Sequence, residues 1–289
     1  MDILMNYAFQ IIALGTALLA AVAAPVGALS VYKGQSLIGD AIGHATFPGV
    51  VLAFMAFSTR SPAVLLVGAM AAAAVTFFAI QAAHENTRVG LNANLAVFLS
   101  GFFGLGMVLK SFIQGNEAYR GASQAGLETY IFGQAAYMLE ADVKLIAFVA
   151  ALCAALLFAF YKELKVFVFD AEYARAVGLP VRLLQVLLPF LTIAVIGIGI
   201  KAVGAILISS FLIIPCVAAS QWSDDFAHVL FLSAVFGVVA ALAGTYVSTL
   251  EQGMSTGPSI ILAASAIAFL SMFFGKRGAF RKHGRREEA

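Results

Sequence analysis

Charged residues are scarce in this sequence. Asp, Glu, Lys and Arg make up 11% of the 289 residues, and 62% of the chain is hydrophobic. A soluble domain carries about 25% charged residues, so a water-exposed surface cannot be built from this composition and we expect lipid as the solvent. The net charge of +2 is also too small to indicate nucleic acid as a partner.

Sequence motifs of several enzyme classes are absent as well. The chain has no GxxxxGK[ST] phosphate-binding loop, no HExxH and no GxSxG, so neither ATP hydrolysis by that route nor metalloprotease or serine hydrolase chemistry is expected. The Gly-x-Gly-Asp pattern of membrane aspartyl proteases fails because Leu37 stands where the first glycine is needed. The two cysteines, Cys153 and Cys216, lie apart in apolar runs and are expected to pack as small hydrophobic residues. We therefore predict that the chain is not an enzyme.

Apolar runs of membrane-spanning length follow one another along the chain. A helix needs about 20 apolar residues to cross the hydrocarbon, and these runs lack the strict alternation of barrel strands. We predict an all-α polytopic membrane protein of about nine transmembrane helices. An alternative of eight is left open, because the break around Lys201 can also be a kink within one element. The predicted spans are 7–31, 38–57, 63–83, 94–113, 142–161, 183–200, 203–219, 227–249 and 257–275.

The basic residues give the chain an orientation, since cytoplasmic loops of membrane proteins retain Lys and Arg. This topology collects 12 of the 17 basic residues on one side. We predict that this side is cytoplasmic, with the N-terminus outside and the C-terminus inside. The expected organisation is one permease domain at 1–280, with a cytoplasmic loop at 162–182 and a basic tail at 281–289. Residues 115–141 are expected to include a short helix at the outer surface.

Asp40 and His44 are the only ionisable residues between Gly34 and Thr59. Their spacing of four places both side chains on one face of a helix, where a carboxylate oxygen and an imidazole nitrogen can bind one ion. A carboxylate in the hydrocarbon is costly, which makes it a functional candidate. A pair of one oxygen ligand and one nitrogen ligand suits Mn²⁺, Fe²⁺ or Zn²⁺. The alternative is that the two residues pair with each other and only pin the helix.

Other polar and flexible positions accompany this pair. Gly39 and Gly43 allow close backbone approach and Pro48 removes a hydrogen bond, so we expect a bent or broken helix at the site. Ser100 and Gln134 are candidates for lining the outer passage. Lys110 and Lys201 are expected to extend towards the membrane interface.

Three ordered motifs resemble the membrane permeases of ABC importers for manganese, zinc and iron. The first is Tyr32-Lys-Gly-Gln-Ser-Leu-Ile-Gly-Asp-Ala-Ile-Gly-His-Ala-Thr-Phe-Pro-Gly49. The second runs from Tyr161-Lys-Glu-Leu to Phe169-Asp-Ala-Glu-Tyr-Ala-Arg-Ala-Val-Gly178, and the third runs from Lys201 to Pro215. The resemblance extends over nearly the whole chain. It departs from the family at Gly43, where many relatives have serine. A hydroxyl that would support the metal ligands is therefore expected to be missing from this chain.

The resemblance implies the larger fold of vitamin B12 and iron-siderophore importers. It also implies a pore subunit in a bacterial plasma membrane that moves a divalent metal ion into the cytoplasm, with the expected order manganese, zinc, iron. No permanently bound cofactor is expected. The implied partners are two cytoplasmic ATPase subunits, an extracytoplasmic metal-binding protein, a second permease copy or paralogue, and the lipid bilayer.

The segment after the fifth predicted span has the pattern of a docking site. Its mixed charges, followed by Gly178 and Pro180, predict a short exposed helix with a C-terminal stop. The residues expected to contact the ATPase are Asp170, Glu172, Arg175 and Gly178. A secondary transporter or channel for divalent cations is the alternative function, and it would have no use for such a helix.

Overall fold

The computed structural model describes residues 6–59, 61–119, 127, 133, 135, 138–250 and 254–278, and its regular elements are helices. We number the α-helices in chain order. They are α1 (Tyr7–Tyr32), α2 (Ile38–Phe57), α3 (Pro62–Asn86), α4 (Leu91–Gly115), α5 (Glu140–Ala159), α6 (Tyr161–Phe169), α7 (Ala171–Ala176), α8 (Val181–Ser220), α9 (Phe226–Leu250) and α10 (Thr256–Phe274). A 3₁₀ helix, Glu117–Tyr119, lies within the segment 115–141, where a short outer-surface helix was expected. Most of that segment lies outside the described residues, so the expectation stays a prediction.

Eight of the described helices are long and apolar enough to cross a membrane, namely α1 to α5 and α8 to α10. This confirms the all-α polytopic prediction. Helices α1, α2 and α8 are the most buried and form the centre of the bundle, whereas α4 is the least buried. Two clusters of buried apolar side chains form the core, and the buried polar side chains among the described residues are those of serine, threonine and one asparagine.

The 40-residue helix α8 reverses direction at Gly204. This glycine has φ 83° and ψ 166°, a conformation that other residues rarely adopt. A Cβ on Gly199 would lie 2.6 Å from Cδ1 of Ile208, although nine residues of straight helix extend about 13.5 Å. Thr192 and Leu212 likewise line one small cavity. Helix α8 is therefore two antiparallel halves, 181–203 and 205–220, which correspond to the sixth and seventh predicted spans.

The bundle has two distinct ends. We call one the basic end, where Lys33 lies on Phe167, Tyr32 contacts Phe169, and Arg277 pairs with Asp224. Away from the basic end, the turn of α8 meets the start of α5. Lys201 pairs there with Asp142. The expectation that Lys201 extends towards the membrane interface stays a prediction.

Two glycines set the contact between α2 and α3. A Cβ on Gly49 would overlap the backbone oxygen of Gly68, and a Cβ on Gly68 would lie 2.5 Å from the oxygen of Gly49. Such backbone contact is how small residues pack helices in lipid. Gly43 on the same helix differs, because its Cβ would lie 3.8 Å from the oxygen of Ala205, an ordinary contact.

We expect Gly49→Ala to destabilise the protein by roughly 1–3 kcal/mol, since overpacking at a backbone contact forces the helices apart. Gly43→Ala is the matched control on the same helix and is expected to be close to neutral. Thermal unfolding of the purified protein in detergent measures both. Equal melting temperatures for the two variants would contradict the close packing of α2 against α3.

Candidate metal-binding site

Asp40 and His44 face each other on α2. Asp40 lies in the first turn of the helix, where the partial positive charge of the helix N-terminus favours a carboxylate. Nε2 of His44 is 3.4 Å from Oδ1 of Asp40, and the side chains are 19% and 31% exposed, respectively. That distance is long for a hydrogen bond. Two ligands bound at about 2.1 Å with a tetrahedral angle are separated by about 3.4 Å, so the pair fits one shared metal ion.

The His44 ring is held by an aromatic neighbour. Phe103 of α4 packs edge-to-face on the imidazole, with ring centroids 5.2 Å apart and an interplanar angle of 79°. Phe103 is the central residue of α4, which places the imidazole about half-way along the bundle. Nδ1 of His44 is buried and has no hydrogen-bond partner among the described residues. A buried nitrogen without a hydrogen-bond partner lowers the stability of the folded protein by about 1–3 kcal/mol, unless another group bonds to it.

The carboxylate of Asp40 has a neighbour from α8. The hydroxyl of Ser209, in the half 205–220, lies beside it and donates to the backbone oxygen of Ile206. Within the described ranges, no cluster of three or more His, Cys, Asp or Glu side chains is found that could hold a metal. The described part of one copy therefore supplies two strong ligands and a nearby hydroxyl, which is fewer than a divalent transition metal takes.

Gly39, Gly43 and Pro48 lie where the sequence predicted them, and α2 continues through all three without a non-helical residue. The expected break is therefore not found. A Cβ on Gly39 would lie 2.6 Å from Cδ1 of Leu212, so this glycine brings α2 and α8 together. Pro48 lies against Gly106 of α4. A bend of α2 at the site stays a prediction.

The predicted exposed helix of the docking segment is present. Asp170 caps α7, its Oδ1 accepting from the amides of Glu172 at 3.0 Å and Tyr173 at 2.8 Å. Gly178, at φ +79°, ends it: the amide of Leu179 donates to the oxygen of Ala174, as in a Schellman motif. The side chains of Glu172 and Arg175 are exposed, whereas Ala174 is buried. The helix is thus fixed at both ends and presents both charges outward.

The structure describes one of the two residues that were predicted to line the outer passage. Ser100 is exposed on α4, one turn before Phe103, while Gln134 lies outside the described residues. Phe103 was not predicted from the sequence. It lies in a run of aromatic and glycine residues, and nothing in that run distinguishes the residue that contacts His44. Ser209 was also not predicted, although this residue lies inside the third motif and a hydroxyl in an apolar span is itself a signal.

Long apolar helices around a carboxylate and an imidazole on one central helix are the features of a polytopic membrane protein with a candidate ion site. The ABC 3 transport family matches residues 5–275. The chain belongs to this family and is a metal-ion ABC transporter permease. This finding sets aside the secondary transporter and channel alternatives.

Curated relatives are named for three metals. The chain is 36% identical over 269 residues to the manganese transport system membrane protein MntC of Bacillus subtilis, covering 93% of this chain and 61% of that protein. It is 35% identical to the zinc transport system membrane protein TroC of Treponema pallidum, covering 99% and 95%. The chelated iron transport system membrane protein YfeD of Yersinia pestis is 30% identical, covering 84% and 77%. Sequence similarity to these relatives therefore does not determine which metal ion this permease carries.

Solved structures agree with the fold. PsaBC from Streptococcus pneumoniae, in complex with a Fab, matches with a TM-score of 0.81 at 25% identity, covering 99% of this chain and 97% of the other. A metal-chelate type ABC transporter in an inward-facing conformation matches with a TM-score of 0.66 at 16% identity, covering 95% and 84%. The second match concerns the fold alone.

Proposed function

We propose that the chain is the pore subunit of an ATP-driven importer that passes a divalent transition-metal ion across the bacterial plasma membrane. The observation that carries the proposal is the pair formed by Asp40 and His44. An oxygen and a nitrogen separated by 3.4 Å, at the middle of the bundle, match the spacing of two ligands on one ion. The metal is substrate, and it binds here in transit between the two sides by alternating access.

A second permease copy completes the metal site in this proposal. Helix α4 supports this second copy. It is the least buried span in the described chain, and its exposed surface includes polar and glycine residues in addition to apolar ones. Apart from the adjoining part of α4 itself, no described atom lies within 4 Å of a Cβ placed on Gly101 or Gly104, which leaves room for another helix backbone. Phe103 on α4 contacts His44, so a partner on this helix would bring a second pair of ligands near the first.

The remaining partners follow from the two ends of the bundle. The basic end is cytoplasmic in this proposal, as the distribution of Lys and Arg indicates, and α7 is the contact for a separate ATPase subunit, two copies per complex. The opposite end receives the ion from an extracytoplasmic metal-binding protein. The N-terminus is then outside and the tail at 281–289 is inside. No enzymatic step occurs in this chain.

The choice of metal rests on ligand chemistry and on the relatives. Oxygen and nitrogen ligands exclude a preference for Cu(I) and suit manganese, zinc and iron. The order proposed is manganese, then zinc, then iron, since the relatives named for manganese and zinc, at 36% and 35% identity, are more similar to this chain than the one named for iron, at 30%. A site shared between two copies would supply four strong ligands, and hydroxyls or water can extend that number for manganese.

Reconstitution tests the proposal as a whole. The chain, co-expressed with its ATPase subunit, is expected to purify as a complex of two permease and two ATPase chains by native mass. In liposomes it should accumulate manganese only when ATP and the extracytoplasmic metal-binding protein are supplied. Competition with zinc and ferrous iron ranks the metals. Accumulation that is independent of ATP would overturn the importer assignment.

A further inference from the structure

The connection between α1 and α2 is rigid. Helix α1 ends in a Schellman motif, in which Gly34 has φ +77°, its amide donates to Val31, and the amide of Gln35 donates to Ser30 at 2.9 Å. The amide of Ile38 then donates to Gln35 and starts α2. The connection therefore holds the end of α1 and the start of α2 as one unit, and Asp40 follows within the first turn of α2.

Lys33 fixes this unit to α6. Its Nζ lies 4.1 Å from the centroid of the Phe167 ring, and Phe167 is 1% exposed. Burial of the ammonium lowers the pKa of Lys33 to about 8. The small cavity beside Lys33 is lined by Ser30, Gln35 and Thr192 together with apolar side chains, and this lining includes no acidic group. The aromatic face is thus the identified partner for the charge.

An aromatic cluster strengthens the same junction. The Tyr32 ring packs edge-to-face on Phe169, at 5.6 Å, and on Phe226 at 5.2 Å. Tyr161 stacks on Phe226 at 6.3 Å. Phe169 precedes Asp170, the cap of α7. The last residue of α1 and the first residue after it therefore both bind α6, the helix that carries the exposed docking helix α7.

We propose that Lys33 is a positioning residue that couples the docking segment to the metal ligands. The contact of Lys33 with Phe167 makes the α1–α2 connection follow α6, so that a displacement of α6 and α7 reaches Asp40 and His44 through a short rigid link. The inference rests on the proposed function, because it assumes that α7 docks an ATPase. It deepens that function by naming the residue that transmits the movement.

A lysine suits this role for a physical reason. A cation over a buried ring is attracted by the ring face and has little competition from water, so the contact is directional and persists while both elements move together. An apolar side chain of similar length would still fill the space but would slide on the ring. The replacement Lys33→Met therefore keeps the packing and removes the directional contact.

The test compares the metal ions imported per ATP hydrolysed by the complete complex in liposomes. For Lys33→Met we expect this ratio to fall roughly fivefold or more, the lower end of usual coupling between sites. Lys33→Arg keeps a cation over Phe167 and should restore the ratio. Lys276→Met, which removes an exposed lysine at the same end of the bundle, is the matched control and should leave the ratio unchanged.

Two further measurements separate coupling from structure. Manganese binding to the detergent-solubilised complex and the amount of assembled complex should stay at the parent level in Lys33→Met, because the ligands are untouched. If Lys33→Met assembles poorly, Lys33→Gln is measured instead on the assembled fraction. A parent-level ratio in either assembled variant overturns the inference. Failure of the parent complex to import metal with ATP would overturn the proposed function itself, whatever the variants show.

Discussion

Replacing either Asp40 or His44 is expected to abolish metal uptake while the complex remains assembled in the membrane. Asp40→Asn keeps the shape of the side chain and removes its charge, and His44→Ala removes the ring nitrogens. Loss of a residue that merely supports a metal ligand costs about 10–100-fold in affinity or activity. Loss of a ligand in a site with two strong ligands per copy should exceed that range. ATP-driven manganese uptake in liposomes measures the effect.

Stability separates transport from a purely structural role. If the pair only pins α2 to its neighbours, Asp40→Asn removes a partly buried charge and should raise or preserve the melting temperature, with uptake retained. If the pair binds the ion, uptake is lost whatever happens to stability. Ser209→Ala is the graded control, since its hydroxyl lies beside Asp40, and it should lower uptake less. Parent-level import by the assembled Asp40→Asn, His44→Ala double variant would refute the site.

The second large effect is expected from the docking helix. Glu172→Ala combined with Arg175→Ala removes both exposed charges from α7 and leaves its cap at Asp170 and its stop at Gly178 in place. The affinity for the ATPase subunit should fall at least about tenfold, which corresponds to about 1.4 kcal/mol. Metal-stimulated ATP hydrolysis should fall with it. Titration of purified ATPase against the permease in nanodiscs measures the affinity.

The chain offers a closely matched control for this experiment. Glu85 and Arg88 have the same residue types and the same spacing as Glu172 and Arg175, and both are exposed where α3 ends and the chain leads into α4. Replacing both with alanine produces the same change of charge without touching α7. An equal loss of ATPase affinity in the two double variants would indicate a general electrostatic effect and would reject α7 as the specific contact.

Much of the fold follows from local rules. Span positions depend on apolar length, and the ends of α7 depend on Asp170 and Gly178, so both were predictable from short stretches of sequence. The facing of Asp40 and His44 also follows from helix periodicity alone. These features need no knowledge of where distant segments lie.

Features that depend on distant contacts were not predictable in the same way. A glycine in an apolar run allows either a kink or a reversal of the helix. At Gly204 the chain reverses, because the halves 181–203 and 205–220 pack against each other. The pairing of Lys201 with Asp142 joins residues 59 positions apart. Phe103 over His44 joins two helices whose register the sequence does not specify. Expectations for Gln134 and for the tail at 281–289 lie outside the described residues.

The reversal of α8 at Gly204 has a consequence for how two copies can be combined. Because α8 reverses at Gly204, the described chain starts near Glu140, at the beginning of α5, and finishes at the basic end, where Arg277 pairs with Asp224. In the proposed orientation, a head-to-tail fusion would have to carry the polypeptide back through the membrane before the second copy could begin in the same orientation. A short soluble linker cannot do this, so under that proposal a single-chain tandem requires an added transmembrane segment.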